Sequence, residues 1–385
     1  MKAVYFDHAA TTPMDNRVVE TMQPYFSGIY GNANSTHQFG REANVAVEEA
    51  REKIAEIIGI EPQNIVFTSG GTESDNAIIK GVVEATGKTE IITSAIEHHA
   101  VLHTVDYLKH NGIKPVILEP NALGIITPDQ VREAITDQTA LVSLMHVNNE
   151  IGSINPIHEI ANECHEAGVP LHSDTVQSLG KLPVDVQELG VDFLSASGHK
   201  IYGPKGIGFM YISDDAPWKS WMHGGSQERN RRGGTLNVPG IIGMAKALEL
   251  CQSERAQHTE HFTKMKHKIV KGIHNQFPDL AHFNGDLENG VPHILNISFQ
   301  DTEGNALDGE MLLLNLDVEG ICVSNGSACT SGAIEPSHVL MGLGMSAEKA
   351  KSSIRISMGK DNTEEQVDFF LEKLEEVIER MTMKI

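Results

Sequence analysis

Along this chain, short apolar runs alternate with longer stretches whose apolar residues recur every three or four positions. Runs of four to eight apolar residues predict buried strands, and the three-to-four spacing predicts amphipathic helices. From about residue 60, strands are expected at Ile65–Thr68, Glu90–Thr93, Pro115–Leu118, Ala140–Val147, Pro170–Ser173 and Val191–Ala196. Helical patterns lie between them near Glu73–Glu84, Ala100–His110, Pro128–Ile135 and His158–Ala167. Gly206–Ser213 reads as one more strand after the Gly203-Pro204 turn. Such βαβα alternation predicts an α/β fold with a mostly parallel, doubly wound sheet. Around 238–260 the pattern becomes one long helix and the rhythm stops. A strand at Ile294–Phe299, a helix at Gly309–Leu316, strands at Gly320–Val323 and Ser353–Ser357 and a last helix at Thr363–Met381 then predict a smaller α+β lobe. The expected division is a large domain over 15–255, with a small domain made from 1–14 and 256–385.

The length supports that division, because 385 residues exceed what one compact core usually holds. Lys+Arg 30 against Asp+Glu 52 leaves a net charge of -22, a surface that repels nucleic-acid backbones and anionic membranes. No apolar run approaches the roughly 18 residues of a membrane span. Asp7 falls where a signal peptide would continue its apolar stretch, so a cytoplasmic protein is expected. Cys164, Cys251, Cys322 and Cys329 show no CxxC spacing and no secretory framework. The 19 histidines form no zinc-like array, and the adjacent His98 and His99 would point about 100° apart on a helix. No metal is expected.

In open parallel sheets, ligands sit beyond the carboxyl ends of the strands. The first such end is followed by Ser69-Gly70-Gly71-Thr72-Glu73-Ser74-Asp75-Asn76. Its glycines let the backbone approach a ligand, Thr72 is placed to cap the helix, and the helix start offers N–H groups to an anion such as phosphate. The next ends bring Glu97-His98-His99, then Asn148-Asn149-Glu150, then Asp174 with Gln177, then Ser197-Gly198-His199-Lys200. Singly, each has a plainer reading as a glycine turn, a helix cap or a satisfied polar group. Five consecutive strand ends with anion donors, an acid, amides and one amine suit pyridoxal phosphate. That cofactor needs a lysine to bind it, an acid at its ring nitrogen and an anion cradle. Lys200 and Asp174 fill the first two roles, and burial near cations should lower the Lys200 pKa.

A second chemical feature is Ser324-Asn325-Gly326-Ser327-Ala328-Cys329-Thr330-Ser331-Gly332. Small polar residues around Cys329 predict an exposed loop, and an exposed cysteine in a reducing compartment suggests a working thiolate. Cys322, in an apolar run, and Cys164, on a helix, read as core residues, whereas Cys251 has no assigned place. Arg355 interrupts the apolar strand Ser353–Ser357 with a fork suited to a carboxylate; its plainer reading is a structural ion pair.

With these motifs together, the chain resembles the NifS/IscS-type cysteine desulfurases of the class V aminotransferase family. The segments that carry the likeness are Asp7-His8-Ala9-Ala10-Thr11-Thr12-Pro13, Thr68 to Asn76, Met145 to Gly152, Ser197 to Gly206 and Ser352 to Arg355. The loop around Cys329 resembles group I members. Asn325 and Gly71 stand where serine and alanine are frequent in that family, and neither removes a functional side chain. The resemblance implies a pyridoxal-phosphate transferase of aminotransferase fold type I. It further implies that Lys200 binds the cofactor, Asp174 pairs with the ring nitrogen, and Gln177 and Asn149 contact the ring hydroxyl side. His98 would stack on the ring and move protons, while Gly71, Thr72, Ser197 and His199 would hold the phosphate. Thr235 would reach in from the other subunit of a homodimer, and Arg355, with Asn149, would bind substrate. Cys329 would take sulfur from L-cysteine as a persulfide, releasing L-alanine, for an iron–sulfur scaffold or a tRNA-thiolation enzyme. A selenocysteine lyase, an ordinary aminotransferase, a β-lyase and a non-catalytic scaffold subunit remain as rivals.

Overall fold

A computed structural model describes residues 3–326 and 335–382. The strands in chain order are β1 (Val4–Tyr5), β2 (Ile65–Thr68), β3 (Glu90–Ser94), β4 (Lys114–Leu118), β5 (Thr139–Ser143), β6 (Leu171–Asp174), β7 (Phe193–Ser197), β8 (Gly208–Ile212), β9 (Ala281–Asn284), β10 (Ile294–Phe299), β11 (Ile321–Cys322) and β12 (Ser353–Ser357). Seven of them form the main sheet in the order β2-β8-β7-β6-β5-β3-β4. All run parallel except β8, which pairs antiparallel with both β2 and β7. Except for β4, these strands are buried along their whole length, which is why most of them read as short apolar runs rather than as alternating patterns. The order reverses between β5 and β3, the kind of switch point at which open sheets bind ligands.

The run predicted at Ala140–Val147 ends as a strand at Ser143. The chain beyond it still follows β6, since Leu144 and His146 donate to the carbonyls of His172 and Asp174. That departure carries Asn149 across the carboxyl edge of the sheet.

A second, three-stranded antiparallel sheet has the order β12-β10-β9, and β1 pairs with β11 in parallel. The helix Val238–Gln276, about 58 Å long at 1.5 Å per residue, outruns its expected end at 260. Its first third, from Val238 to Cys251, packs into the core of the main sheet. Phe262, Met265, Ile269 and Ile273 then recur every three or four residues and face a second core shared with Val4, Phe6, β10, β12 and the helix Glu364–Thr382. No described helix is long and apolar enough to cross a membrane.

The helix Gln38–Ile58 is tied to the main sheet by a buried ion pair. Arg51, 2% exposed, donates to both carboxylate oxygens of Glu228 at 2.9 and 2.7 Å, and to the Ile65 carbonyl at 3.0 Å. Glu228 also accepts from the Phe67 N–H at 2.8 Å. The carboxylate arrives there through three successive left-handed residues, Glu228, Arg229 and Asn230. Removing one partner leaves a desolvated charge, so Glu228→Ala is expected to lower stability by about 3–5 kcal/mol in urea unfolding. A loss below about 1 kcal/mol, the range of an exposed pair, would show that water reaches Arg51.

Candidate active site

The carboxyl ends of β2, β3, β5, β6 and β7 open into one cavity of about 450 Å³. Its lining brings together Gly71, Thr72, His98, Asn149, Asp174, Gln177, Ser197, His199, Lys200 and Arg355. Two segments distant in sequence complete it: Asp7, Ala9 and Ala10 near the N-terminus, and Ser324, Gly326 and His338. Thr235 is not part of this lining. Cys329 lies outside the described residues.

At the end of β2 the chain turns at Gly70, whose φ of 151° suits glycine alone. A side chain at Gly208 on the neighbouring strand would strike the Gly70 backbone, so both glycines are needed for this close approach. The helix Gly71–Thr86 starts here, and its first two residues, whose N–H groups have no partner within the helix, line the cavity. The expectation that Thr72 caps this helix is not met. Gly70 occupies the cap position and leaves Thr72 in the first turn, facing the cavity. Glu73 instead closes the turn, accepting from the Ser69 N–H at 2.7 Å while Arg232 pairs with it at 2.8 Å.

His98 caps the helix His99–Lys109, its Nδ1 accepting from the Ala100 N–H at 3.1 Å. The ring proton therefore sits on Nε2. Desolvation, with Lys200 beside it, pushes the ring's pKa down to about 4, so His98 is neutral at pH 7.

Asp174 ends β6, with Oδ1 accepting from the Val176 N–H at 2.9 Å. Burial raises its pKa, against the pull of that N–H and of Lys200. Two further carboxylates stand behind it. Asp75 is fully buried, raised by desolvation and by Asp174, and its Oδ1 has no hydrogen-bond partner. Glu97 accepts from Ser94 and the Met145 N–H through Oε1, while Oε2 has no partner and burial pushes the group up to about 8. Burial at this end disfavours carboxylate charge, and a cationic N–H donor beside Asp174 would compensate it.

Lys200 follows β7 on a short 3₁₀ turn. Its Nζ donates to the Ala9 carbonyl and, at 2.8 Å, to that of Ala10. Burial lowers the amine pKa to about 7, helped by Arg355 and Lys181 and opposed by Asp174 and Asp7. The N-terminal segment is thus part of the site. Thr12 also grips the turn, donating its hydroxyl to the His199 carbonyl at 2.8 Å. His199 faces Thr11 Oγ1 through Nδ1 at 3.2 Å, and burial lowers its pKa to about 4.

Arg355 makes the structural ion pair of its plainer reading and also lines the cavity. One arm donates to Asp7 Oδ1 at 2.8 Å and another to the Asn149 carbonyl at 3.0 Å, while Nε is buried without a partner. Its backbone pairs with Ser324, so the strand that presents the guanidinium also roots the segment leading to Cys329. Cys164 and Cys251 are buried, with thiols pushed up to about 12 by desolvation. Cys322 is only half-buried, because β11 is a two-residue edge partner of β1 rather than a core strand.

The donor set fits pyridoxal phosphate in kind. A helix start with Thr72 and Ser197 suits the phosphate, a buried carboxylate suits a protonated ring nitrogen, and a low-pKa amine lies beside both. Asp75, Glu97, Asp7 and Lys181 escaped the sequence reading. Asp7, Asp75 and Glu97 fall inside quoted motifs, but only the fold shows which side chain each one faces.

Comparison with known proteins agrees along the whole chain. The Aminotransferase class-V family model matches residues 4–370. The chain is 45% identical over 382 residues to the cysteine desulfurase IscS of Dictyoglomus turgidum, covering 99% of this chain and 95% of that protein. Among solved structures it is similar to a NifS-like protein, with a TM-score of 0.90, 40% identity and coverage of 98% and 100%. It is also similar to SspA in complex with cysteine, with a TM-score of 0.80, 36% identity and coverage of 92% and 98%.

Proposed function

Because the chain belongs to the class V aminotransferases, among their IscS/NifS cysteine desulfurases, we propose that Lys200, Asp174, His98, Arg355 and Cys329 divide its chemistry between them. The reaction is the conversion of L-cysteine to L-alanine with transfer of the sulfur. The observation that best supports this assignment is the Lys200 amine, with a pKa near 7, inside the cavity that Asp174 and Arg355 also line.

Pyridoxal phosphate, when bound, supplies the electron sink for the pair released at the substrate Cα. Lys200 attaches it, Gly71, Thr72, Ser197 and His199 hold its phosphate, and Thr235 from a second copy of the chain adds to that grip in a homodimer. Gln177 and Asn149 meet the ring hydroxyl side, and Asp174 keeps the proton at the ring nitrogen. Arg355, with Asn149 beside it, grips the substrate carboxylate and fixes the Cα–H bond relative to Lys200. Neutral Lys200 takes the Cα proton, a role its lowered pKa allows at pH 7. His98 covers the ring face and offers the Nε2 proton. The thiolate of Cys329 attacks the substrate sulfur, so an S–S bond forms and the C–S bond breaks. The electron pair stays on the substrate carbon, which takes up a proton to become the methyl group of alanine. The Cys329 persulfide then passes its outer sulfur to a thiol of an acceptor protein, in iron–sulfur assembly or tRNA thiolation.

Equal amounts of alanine and protein-bound sulfur in a single turnover test this reading. Pyruvate or free sulfide without persulfide would favour a β-lyase. Asp174→Asn is expected to fold and bind the cofactor but lose roughly a hundredfold or more in alanine formation, since a neutral ring draws electrons poorly. Near-normal turnover would remove Asp174 from its role.

A further inference from the structure

A second lysine lies behind Lys200, in no strand-end motif. Lys181 follows the turn after β6 and donates Nζ to Gln177 Oε1 at 3.3 Å. Gln177 in turn donates Nε2 to the Ala9 carbonyl at 2.9 Å, and Lys200 donates to the same carbonyl. An ammonium group thus fixes which way the Gln177 amide points, and the two amines are linked through one side chain and one backbone oxygen. We propose that Lys181 is a positioning residue of the active site, acting on Lys200 through Gln177 and the Ala9 carbonyl. The inference rests on the reading of Lys200 as the residue that binds the cofactor.

The electrostatics agree with this geometry. Lys181 is half-buried, and desolvation lowers its pKa only to about 8, which leaves it mostly cationic at pH 7. It is faced by Arg355 and by Cys251, His8, His199 and His293, which are uncharged at neutral pH: desolvation raises the thiol and lowers the three imidazoles. Lys200 is faced by Arg355 and Lys181 on the cationic side, and by Asp174 and Asp7 on the anionic side. His98 and His199 adjoin it in neutral form. Arg355 is committed to Asp7 by an ion pair at 2.8 Å, whereas Lys181 makes no ion pair with a described carboxylate. Lys181 is thus the second cationic influence on Lys200, after Arg355. One neighbouring like charge in a partly desolvated site shifts a pKa by roughly one unit.

The test is the rate at which apo-protein takes up pyridoxal phosphate as a function of pH, followed by the cofactor's visible absorbance. The wild-type profile is expected to rise through about 7, as Lys200 loses its proton. Lys181→Met is expected to move that midpoint up by roughly one unit, and Lys181→Arg to restore it to within a few tenths. If Lys181→Met does not purify folded, Lys181→Gln removes the charge while keeping a polar group for Gln177, and carries the same expected shift. A folded charge-removing variant with the wild-type midpoint overturns the proposal. Lys200→Ala separates the two readings: it must abolish the pH-dependent uptake. If it does not, the assignment of Lys200 has failed, and not only the role of Lys181.

Discussion

Lys200→Ala is expected to yield a folded protein that lacks the visible absorbance of bound pyridoxal phosphate and forms no detectable alanine from cysteine. Loss of a positioned acid–base group alone costs about 10²–10⁴-fold, and here the attachment point is lost as well. Folding should survive, because the amine contributes little to it. Burial pulls its pKa from 10.5 to about 7, so the charged form is disfavoured inside the protein. Its two bonds, to the Ala9 and Ala10 carbonyls, are worth about 1 kcal/mol each and leave oxygens that Gln177 still partly satisfies. A thermal midpoint within a few degrees of wild type, with the absorbance gone, is the expected pair of results. Retained absorbance and turnover would dismiss Lys200 as the attachment point. Lys205 or Lys181 would then have to be examined.

The parts of this site legible in the sequence are those that follow strands. His98, Asn149, Asp174 and Lys200 each come directly after an apolar run, and parallel strands put all such positions on one edge. The main sheet was readable from short runs rich in apolar and β-branched residues, although polar residues such as Thr93, His172 and Ser195 are buried within them. Less contrast was available elsewhere. The helix Gln38–Ile58 buries Ala43, Ala46 and Ala50 beside only a few larger residues, a stripe too small to stand out. The strand Ala281–Asn284 is a four-residue edge with one fully buried position, so its sequence looks like a turn. The second layer of the site was hidden for a different reason. Asp7 meets Arg355 across 348 positions, and Lys200 meets Ala9 across 191. Neither partner announces the other, because such contacts are made by the fold and not by spacing. Glu228 reaches Arg51 across 177 positions through a left-handed turn that lacks the glycine which would have marked it.

Cys329→Ala is expected to keep the visible cofactor absorbance and to bind cysteine, yet to form no persulfide and release almost no alanine. The prediction rests on reach. Gly326 lines the cavity, and Ser324 just before it is paired with the backbone of Arg355. On the far side, Ser337 donates its hydroxyl to the buried carboxylate of Glu150 at 2.5 Å, and His338 lines the same cavity. Cys329 follows Gly326 by only three positions in the sequence. The other cysteines have no such access. Cys164 and Cys251 belong to the core of the main sheet, and their thiols stay protonated up to about 12. Cys322 is half-buried on β11, with its pKa raised by burial and by Asp317 and Asp7. Thiolate chemistry at neutral pH is therefore disfavoured at all three. Cys322→Ala should desulfurate like wild type, with a stability loss of about 1 kcal/mol or less for a half-buried thiol. Mass spectrometry after one turnover should find a single additional sulfur on the peptide containing Cys329. Sulfur on any other cysteine, or wild-type alanine formation by Cys329→Ala, would mean that the substrate's C–S bond is broken without this thiol. The cavity alone would then have to account for the reaction.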